Sequence, residues 1–306
     1  MTFFITFSTV AVMLLYAVPG YVLVRSGATN KESIPAFAKL LMYICQPCLT
    51  VYCFGKVEYS EGILKNMAVF FIITFLLQSA VLFLMYLLTK RVRSITRYRV
   101  CCAAAAFGNC TFMGVPILEA VMPDYPEAVV YSNIFFLGMS ILGWTAASYI
   151  ITQDKKYISI KKIIINPATI GIAISLLMMI SGIQLPDKLN DAITLMGRMS
   201  TPLCMIVIGM RLAALPIKPV FTSKLQYLTA ALKLIVFPLI VLGLSAILPI
   251  DDNMAKTLFI LSCTPTAAVV LTFTELLGEG QDTAANTVLL STLLCVVTTP
   301  VMMLLA

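Results

Sequence analysis

Long apolar runs separated by short polar connections make up almost the whole chain. A helix that crosses the hydrocarbon core of a bilayer needs about 20 predominantly apolar residues. Runs that approach this length cover residues 3–24, 34–54, 63–89, 100–122, 128–152, 167–184, 190–212, 222–249, 255–277 and 284–305. The pattern therefore predicts an all-α polytopic membrane protein with ten transmembrane helices.

Two of these runs contain residues that a membrane helix normally avoids in mid-span. They lie at residues 107–116 of the fourth run and 262–266 of the ninth, and both are rich in Gly, Asn, Thr or Pro. An unwound backbone is tolerated at membrane depth where it is buried in protein or lines a wet cavity. Paired broken helices are typical of the binding sites of secondary transporters. We therefore interpret spans four and nine as broken crossover helices, with Gly114, Pro116 and Pro265 creating the breaks.

Ten spans divide into two sets of five, and a repeated unit with an odd number of spans enters the membrane the second time upside down. Pro47 in the second span and Pro202 in the seventh hold the same place after an apolar run. One alignment of spans four and nine pairs Asn109 with Pro265 and Glu119 with Glu275. The sequence thus predicts two inverted five-helix repeats, residues 1–152 and 153–306.

Composition agrees with the apolar pattern. The chain is 60% hydrophobic and 11% charged, whereas a soluble domain has roughly 45–50% apolar residues. The formal net charge of +7 comes from Lys and Arg in short loops, so nucleic-acid binding is not expected.

The first run has no basic flank before it and no cleavage pattern after it. We interpret it as a retained span rather than a signal peptide.

The basic residues also predict orientation. Lys and Arg cluster after the first, third, fifth and seventh spans, whereas the intervening connections are neutral or acidic. Basic loops favour the cytoplasmic side, so we predict a multi-pass cell-membrane protein with both termini outside the cytoplasm. The loop after the ninth span, with Glu279 and Asp282, does not follow this alternation, but acidic residues contribute little to orientation.

Histidine is absent and the cysteines are buried in apolar runs. The absence of histidine excludes His-based zinc sites and His proton relays. No metal site, cofactor or disulfide framework is expected. Cys45-Gln46-Pro47-Cys48 has the spacing of a redox motif but lacks the soluble βαβ setting that such a motif needs.

Several short motifs resemble those of a known family in their order and spacing. They are Gly20 to Arg25 closing the first span, Pro47 in the second, Gly108-Asn109 and Gly114 to Pro116 in the fourth, Asn166-Pro167 opening the sixth, Pro202 to Gly209 in the seventh, Cys263 to Pro265 in the ninth, and Ser291 to Pro300 in the tenth. Together they resemble the auxin efflux carrier family, which includes plant PIN auxin exporters and bacterial organic-anion carriers.

The resemblance implies a ten-helix fold in which helices 1, 2, 6 and 7 form a scaffold. Helices 3 to 5 and 8 to 10 would form a transport domain, with helices 4 and 9 crossing inside it. Substrate would bind beside the crossing, and transport would follow elevator-like alternating access, often in a homodimer. Bile acid sodium symporters are similar in fold. Arg198, just before Pro202, is not a residue that the family pattern leads us to expect.

The breaks also predict an anion site on physical grounds. The second half of each broken helix begins with unpartnered N–H groups and the positive end of a helix dipole. Two such ends converging at the midplane favour a carboxylate. We expect Gly108 and Asn109, with Thr264 and Thr266, to contact the substrate. The alternative is that these polar groups only satisfy the broken backbone.

Two cationic residues lie within apolar spans. Lys233 is nine residues beyond Lys224, roughly 14 Å along a helix, and Arg198 is eight residues beyond Asn190, roughly 12 Å. We expect either to meet a substrate carboxylate, the alternative being that a long side chain snorkels to the interface. Glu119 and Glu275 lie near span ends, where solvated capping is the simpler interpretation.

These features predict a secondary transporter for a small organic anion, in contact with membrane lipid. The alternative within the same class is a sodium-coupled symporter of the bile-acid type. An intramembrane enzyme needs a Ser–Lys pair, an aspartate pair or a metal cluster at depth, and a channel needs polar residues along several helices; neither pattern is present. The sequence leaves open the substrate, the direction of transport and whether a proton, sodium or no ion is coupled.

Overall fold

The computed structural model describes residues 2–305, except for the side chain of residue 217. The main helices, in chain order, are α1 (Thr2–Arg25), α2 (Lys31–Phe54), α3 (Glu61–Leu88), α4 (Thr96–Ala106), α5 (Gly114–Val121), α6 (Glu127–Thr152), α7 (Lys155–Ser181), α8 (Asp187–Ala214), α9 (Lys224–Ser245), α10 (Asp252–Ser262), α11 (Val269–Leu277) and α12 (Gln281–Met302). A short helix, Ile217–Thr222, precedes α9. No strand occurs within the described residues.

Eight of these helices are long and apolar enough to cross a membrane, namely α1, α2, α3, α6, α7, α8, α9 and α12. The predicted fourth and ninth spans instead consist of two short helices each, α4 with α5 and α10 with α11. These four helices contain 8 to 11 residues, which is too short for any of them to cross the bilayer alone. The all-helical prediction is confirmed. The predicted positions of the termini concern Met1 and Ala306, which lie outside the described residues.

Several long helices contain a local irregularity. The backbone widens to π-helical turns at Leu41–Cys45 in α2 and Leu232–Val236 in α9, and each turn is followed by a proline, Pro47 or Pro238. A proline inside a helix removes an N–H donor and its ring crowds the preceding turn, which the wider turn relieves. In α7 the helix is interrupted before Pro167, where the Asn166 side chain accepts from Ala168 N–H.

Helix α1 packs on α8, and α2 packs on both α7 and α8. A Cβ at Gly20 of α1 would overlap the carbonyl oxygen of Ile206 in α8, and a Cβ at Gly209 of α8 would overlap that of Ala17. Gly171 of α7 and Gly197 of α8 lie against Pro47 and Cys48 of α2 in the same way. Small residues thus let the backbones of this first helix group touch directly.

The remaining helices form a second group around α4, α5, α10 and α11. Helix α6 packs on α3 and α5, and α12 packs on α4, α9 and α11. Most of α6 is buried, with 72% of its apolar window inside the protein, because it lies between the short helices and the first group. The N-terminal half of α1 contacts α5 and α12, so it forms part of the boundary between the two groups.

Candidate functional site

The two unwound segments cross and hydrogen-bond to each other. The first runs from the end of α4 to the start of α5, and the second from the end of α10 to the start of α11. Asn109 N–H donates to the Pro265 carbonyl at 2.7 Å, and Ala267 N–H donates to the Phe107 carbonyl at 3.0 Å. Gly108 and Thr266 therefore form an isolated antiparallel bridge. We call this pair of segments, residues 107–113 and 263–268, the crossing.

Glycine is required at the crossing by close packing. A Cβ on Gly108 would lie 2.6 Å from Thr264 Oγ1 and 3.0 Å from Lys233 Nζ. A Cβ on Gly114 would lie 2.8 Å from a methyl carbon of Leu261. Contacts under 3.0 Å are not tolerated without movement of the neighbour, so the absence of side chains lets the two half-helix pairs approach each other.

Side chains satisfy six of the carbonyl oxygens at or next to the breaks. The donors and acceptors are Thr266 Oγ1 to Ala104 O (3.0 Å), Thr264 Oγ1 to Leu261 O (2.6 Å), Ser132 Oγ to Cys110 O (2.8 Å), Thr299 Oγ1 to Cys263 O (2.9 Å), Thr201 Oγ1 to Phe112 O (2.7 Å) and Lys233 Nζ to Ser262 O (2.8 Å). Thr264 and Thr266 are fully buried, and their hydroxyl protons are committed to the backbone. For these two residues the geometry favours backbone support.

Asn109 has a different role at the crossing. Its carbonyl accepts from Met113 N–H and Gly114 N–H, at 3.3 and 3.1 Å, and thereby holds the start of α5. Its side chain is buried, and Nδ2 has no hydrogen-bond partner within the described residues. An unpaired buried donor is costly, so this amide group is a candidate to bind an acceptor on a ligand.

Gln46 of α2 presents a second amide of this kind. Its side-chain oxygen lies 3.4 Å from Thr111 Oγ1, which donates to it, but Nε2 has no partner in residues 2–305. Gln46 is 2% exposed. Gln46 was not among the predicted site residues, although the lone amide beside Pro47 in the second span was a signal that could have identified it.

A first cavity of about 520 Å³ lies between the two helix groups. It is lined by the N-terminal half of α1, by Leu49 and Tyr52 of α2, by Pro116 and Glu119 of α5, and by Arg198 and Thr201 of α8. The lining residues of α2 lie in the C-terminal half of that helix, and those of α8 lie near its middle. The first cavity therefore lies on the side of the crossing from which α5 emerges.

A second cavity, of only about 50 Å³, lies toward the opposite ends of α2 and α8. Its lining includes Ala38 and Gln46 of α2, Phe112 of the crossing, Cys204 and Arg211 of α8, and Ala268 and Val269 at the start of α11. The side chain of Asn109 lies close to the Cys204 thiol. Gln46 thus lines the second cavity directly, whereas Asn109 lies behind its wall, next to Cys204.

Ion pairs join the two helix groups near each cavity. Glu119 of α5 pairs with Lys56, just after α2, and accepts from the Tyr52 hydroxyl at 2.8 Å. Glu275 of α11 pairs with Arg211 of α8 at 2.7 Å. Solvated capping was therefore the wrong interpretation for both glutamates. Burial alone would lower the pKa of the Lys56 ammonium, but hydrogen bonds with Glu119 and Tyr52 raise it above its ordinary value.

The two cations predicted to lie within spans have opposite surroundings. Lys233 is 0% exposed, and its ammonium reaches the crossing rather than the interface, so its side chain does not snorkel. It lines neither cavity. Arg198 is exposed and lines the first cavity, with no ion-pair partner among the residues that the structure describes.

The prolines also differ from expectation in one case. Pro265 lies within the unwound part of the ninth span, as predicted, and its carbonyl takes part in the crossing. Pro116 instead lies in the first turn of α5, where a missing N–H costs nothing because that group has no helical partner. Pro116 therefore starts a helix and does not create the break. Pro47 and Pro202 each lie at the start of a regular segment of α2 or α8.

Comparison with known proteins supports the resemblance found in the sequence. A search of curated proteins gives no match. A family model described as membrane transport protein matches residues 5–162 and, separately, residues 155–303. This family covers auxin efflux carrier and PIN-like proteins, and the two matches together span nearly the whole chain. The chain belongs to the membrane transport protein family.

Proposed function

We propose that the protein is a secondary transporter that moves a small organic carboxylate, which binds beside the crossing. The observation that carries this proposal is a pair of unpartnered buried amide donors: Gln46 Nε2 in the lining of the second cavity, and Asn109 Nδ2, whose side chain lies close to Cys204 of the same lining. A carboxylate offers only acceptors, so it pairs with both donors without leaving a donor of its own unsatisfied.

The start of α11 adds to this preference for an anion. Ala268 and Val269 line the second cavity, and their N–H groups have no acceptor within the described residues. The positive end of the α11 dipole points to the same place. Arg211 also lines this cavity, but Glu275 balances its charge, so the positive potential comes from the end of α11.

Arg198 would attract the substrate in the first cavity, away from the proposed binding site. It lines the larger first cavity, where an unpaired guanidinium raises the local concentration of anions. Lys233 lines neither cavity, so any contribution that it makes to anion binding acts through its field across the crossing.

The two cavities support alternating access. Each is bounded by α2, α8 and a half-helix that leaves the crossing, α5 for the first cavity and α11 for the second. Their volumes differ tenfold, about 520 against 50 Å³, which suits a state open on one side only. In this proposal the second helix group carries the site against the first group in an elevator-like movement.

The ion pairs support the inverted repeat. Lys56 lies nine residues after Pro47, and Arg211 lies nine residues after Pro202. Their partners, Glu119 and Glu275, are the residues that one alignment of the fourth and ninth spans makes equivalent. Two pairs that occupy matching places, one beside each cavity, are the expected outcome of a duplicated five-helix unit inserted upside down.

Counterflow in proteoliposomes tests the proposed function. Vesicles loaded with an unlabelled carboxylate should accumulate the same labelled carboxylate, and a panel of monocarboxylates, dicarboxylates, aromatic acids and bile acids identifies the class. Neutral amides of active substrates should fail. Arg198→Met should reduce uptake at low substrate concentration, whereas Lys188→Met, which removes an exposed cation from the same helix, should not. Equal exchange of carboxylates and amides would contradict the proposal.

A further inference from the structure

An apolar groove lies between the two helix groups, along the C-terminal half of α1. Its volume is about 310 Å³, and its walls are formed by α1 and α8 of the first group and by α12 of the second. Val18 is exposed at the rim, whereas Ile208 and Leu289 are buried in the floor. These residues belong to apolar spans, so the groove opens toward the lipid.

The lining of this apolar groove favours an acyl chain over water. Tyr21 and Thr292 are its polar residues, and the rest of the lining is apolar. Water is stable in a cavity only where several polar groups surround it. An empty groove would leave the lining atoms without partners on one side and forfeit their dispersion contacts. In a bilayer the surrounding molecules carry long apolar chains, so one of these chains fills the groove.

A cation lies at the end of the apolar groove. Arg25 follows Tyr21 by about one helical turn. Its Nε donates to the Tyr21 hydroxyl at 3.3 Å, and its guanidinium lies 5.5 Å from the centre of the Tyr21 ring. Because Tyr21 lines the groove, it holds the guanidinium close to the groove. No carboxylate pairs with Arg25 among residues 2–305.

The charge of Arg25 selects the headgroup. A guanidinium binds a phosphate through two parallel N–H groups, and Arg25 is exposed and has such groups available. A zwitterionic phospholipid carries its own cation beside the phosphate. The guanidinium therefore favours a phospholipid whose headgroup has a net negative charge.

We propose that the apolar groove is a binding site for an anionic phospholipid, with one acyl chain between α1, α8 and α12 and the phosphate against Arg25. The chain contacts both helix groups at once. The proposal goes beyond the proposed function and does not rest on it, because lipid binding can be measured without transport. Failure of the transport assay would leave the lipid measurements unchanged.

Native mass spectrometry of the purified, delipidated full chain tests the proposal. Titration with phosphatidylglycerol or with phosphatidylcholine of the same chains should show that the wild-type protein retains one phosphatidylglycerol in preference. Val18→Trp, which fills the groove from its rim, should lose most of this lipid. Val22→Trp is the matched control, because Val18 and Val22 are each 53% exposed and Val22 is not part of the lining. Equal retention by the two variants, or no retained lipid in the wild-type protein, would overturn the proposal.

A variant of Arg25 tests the headgroup end of the site. Arg25→Gln should weaken the binding of phosphatidylglycerol about fivefold, the effect of one basic residue near an anionic headgroup. The binding of phosphatidylcholine should change little. An unchanged preference for phosphatidylglycerol in Arg25→Gln would overturn the assignment of the phosphate to this residue.

A variant of Thr292 tests the acyl-chain end. Thr292 is 1% exposed, and its Oγ1 has no hydrogen-bond partner in the described part of the chain. An acyl chain offers this hydroxyl no acceptor, so Thr292→Val should retain the lipid. Loss of the lipid in Thr292→Val would show that a polar group reaches the floor and would overturn the acyl-chain assignment. If Val18→Trp does not fold, Leu293→Trp fills the groove from α12 and is judged by the same outcomes.

Discussion

At the scale of single residues, the proposed ligand site consists of the polar groups that are left over once the broken backbone is satisfied. Thr264 and Thr266 donate their hydroxyl protons to carbonyl oxygens nearby. Asn109 satisfies the backbone with its own peptide group and leaves its side-chain amide without a partner among the described residues. Polar residues of the crossing are thus divided between those that support the backbone and one whose side-chain amide is free for the proposed ligand.

Asn109→Ala should weaken carboxylate binding while the protein remains folded. The change removes one donor to a charged acceptor, a hydrogen bond that contributes about 1.5–3 kcal/mol, so the Kd should rise roughly tenfold to a hundredfold. Binding titration of the purified variant measures the change. Asn253→Ala, which removes an exposed amide from α10, is the control and should bind normally. An unchanged Kd in Asn109→Ala would assign the residue to backbone support alone.

At the scale of helices, the crossing depends on backbones that approach without side chains between them. At Gly108 the missing side chain leaves room for the hydroxyl of Thr264 and the ammonium of Lys233, which pack against the glycine from the other segment and from α9. An added methyl group must displace the Thr264 hydroxyl or the Lys233 ammonium from the crossing.

Gly108→Ala should lower the melting temperature and disturb transport together. Overpacking a buried contact costs typically about 1–3 kcal/mol, and here the neighbour is a buried ammonium with little room to move. Gly243→Ala in α9 is the matched control, because a Cβ there meets nothing within 4 Å. In that variant the helix propensity of alanine should leave stability equal or slightly higher. Equal melting of both variants would show that the crossing has room for a methyl group.

The apolar pattern predicted the helices and the two breaks because a regular membrane helix rarely contains Gly, Asn and Pro close together in mid-span. Contacts between distant helices were not predictable in this way. Depth along a helix placed Lys233 near mid-membrane, but only the packing of its side chain against the end of α10 shows that it caps Ser262. Pro116 was predicted to create the break, but it lies in the first turn of α5. The local sequence does not distinguish a proline in a break from a proline in the first turn of the helix that follows it.

At the scale of the whole molecule, each ion pair beside a cavity joins the first helix group to the second. Lys56 and Arg211 belong to α2 and α8 or their ends, whereas Glu119 and Glu275 belong to α5 and α11. Relative movement of the groups must stretch or rearrange these contacts. The pairs are therefore expected to influence which side is open more than they influence folding.

Exchanging the charges of one pair tests this expectation. Arg211→Glu and Glu275→Arg should each reduce transport, because two like charges then meet at the second cavity, and the double variant should recover most of it. The effect on stability should be small, on the order of 1 kcal/mol, because the pair is partly exposed. A double-mutant cycle on transport rate and melting temperature measures both. Absence of recovery in the double variant would show that the two residues act independently.

The orientation of the molecule can be tested with tags. Both termini are predicted to lie outside the cytoplasm, because the basic loops alternate. A tag joined to Met1 or to Ala306 should react with a membrane-impermeant reagent in intact cells, whereas a tag inserted after Lys90 should react only after the cells are opened. The opposite pattern would reverse the predicted topology.

The direct backbone contact of α1 with α8 has a consequence for anyone who maps this protein by saturation mutagenesis. Gly20 and Gly209 line neither cavity, yet neither has room for a methyl group. Both positions will score as intolerant to every substitution, as strongly as a position that touches ligand. An intolerant glycine in these helices therefore reports on how the frame is assembled, and only a variant that folds normally but fails to bind identifies the site.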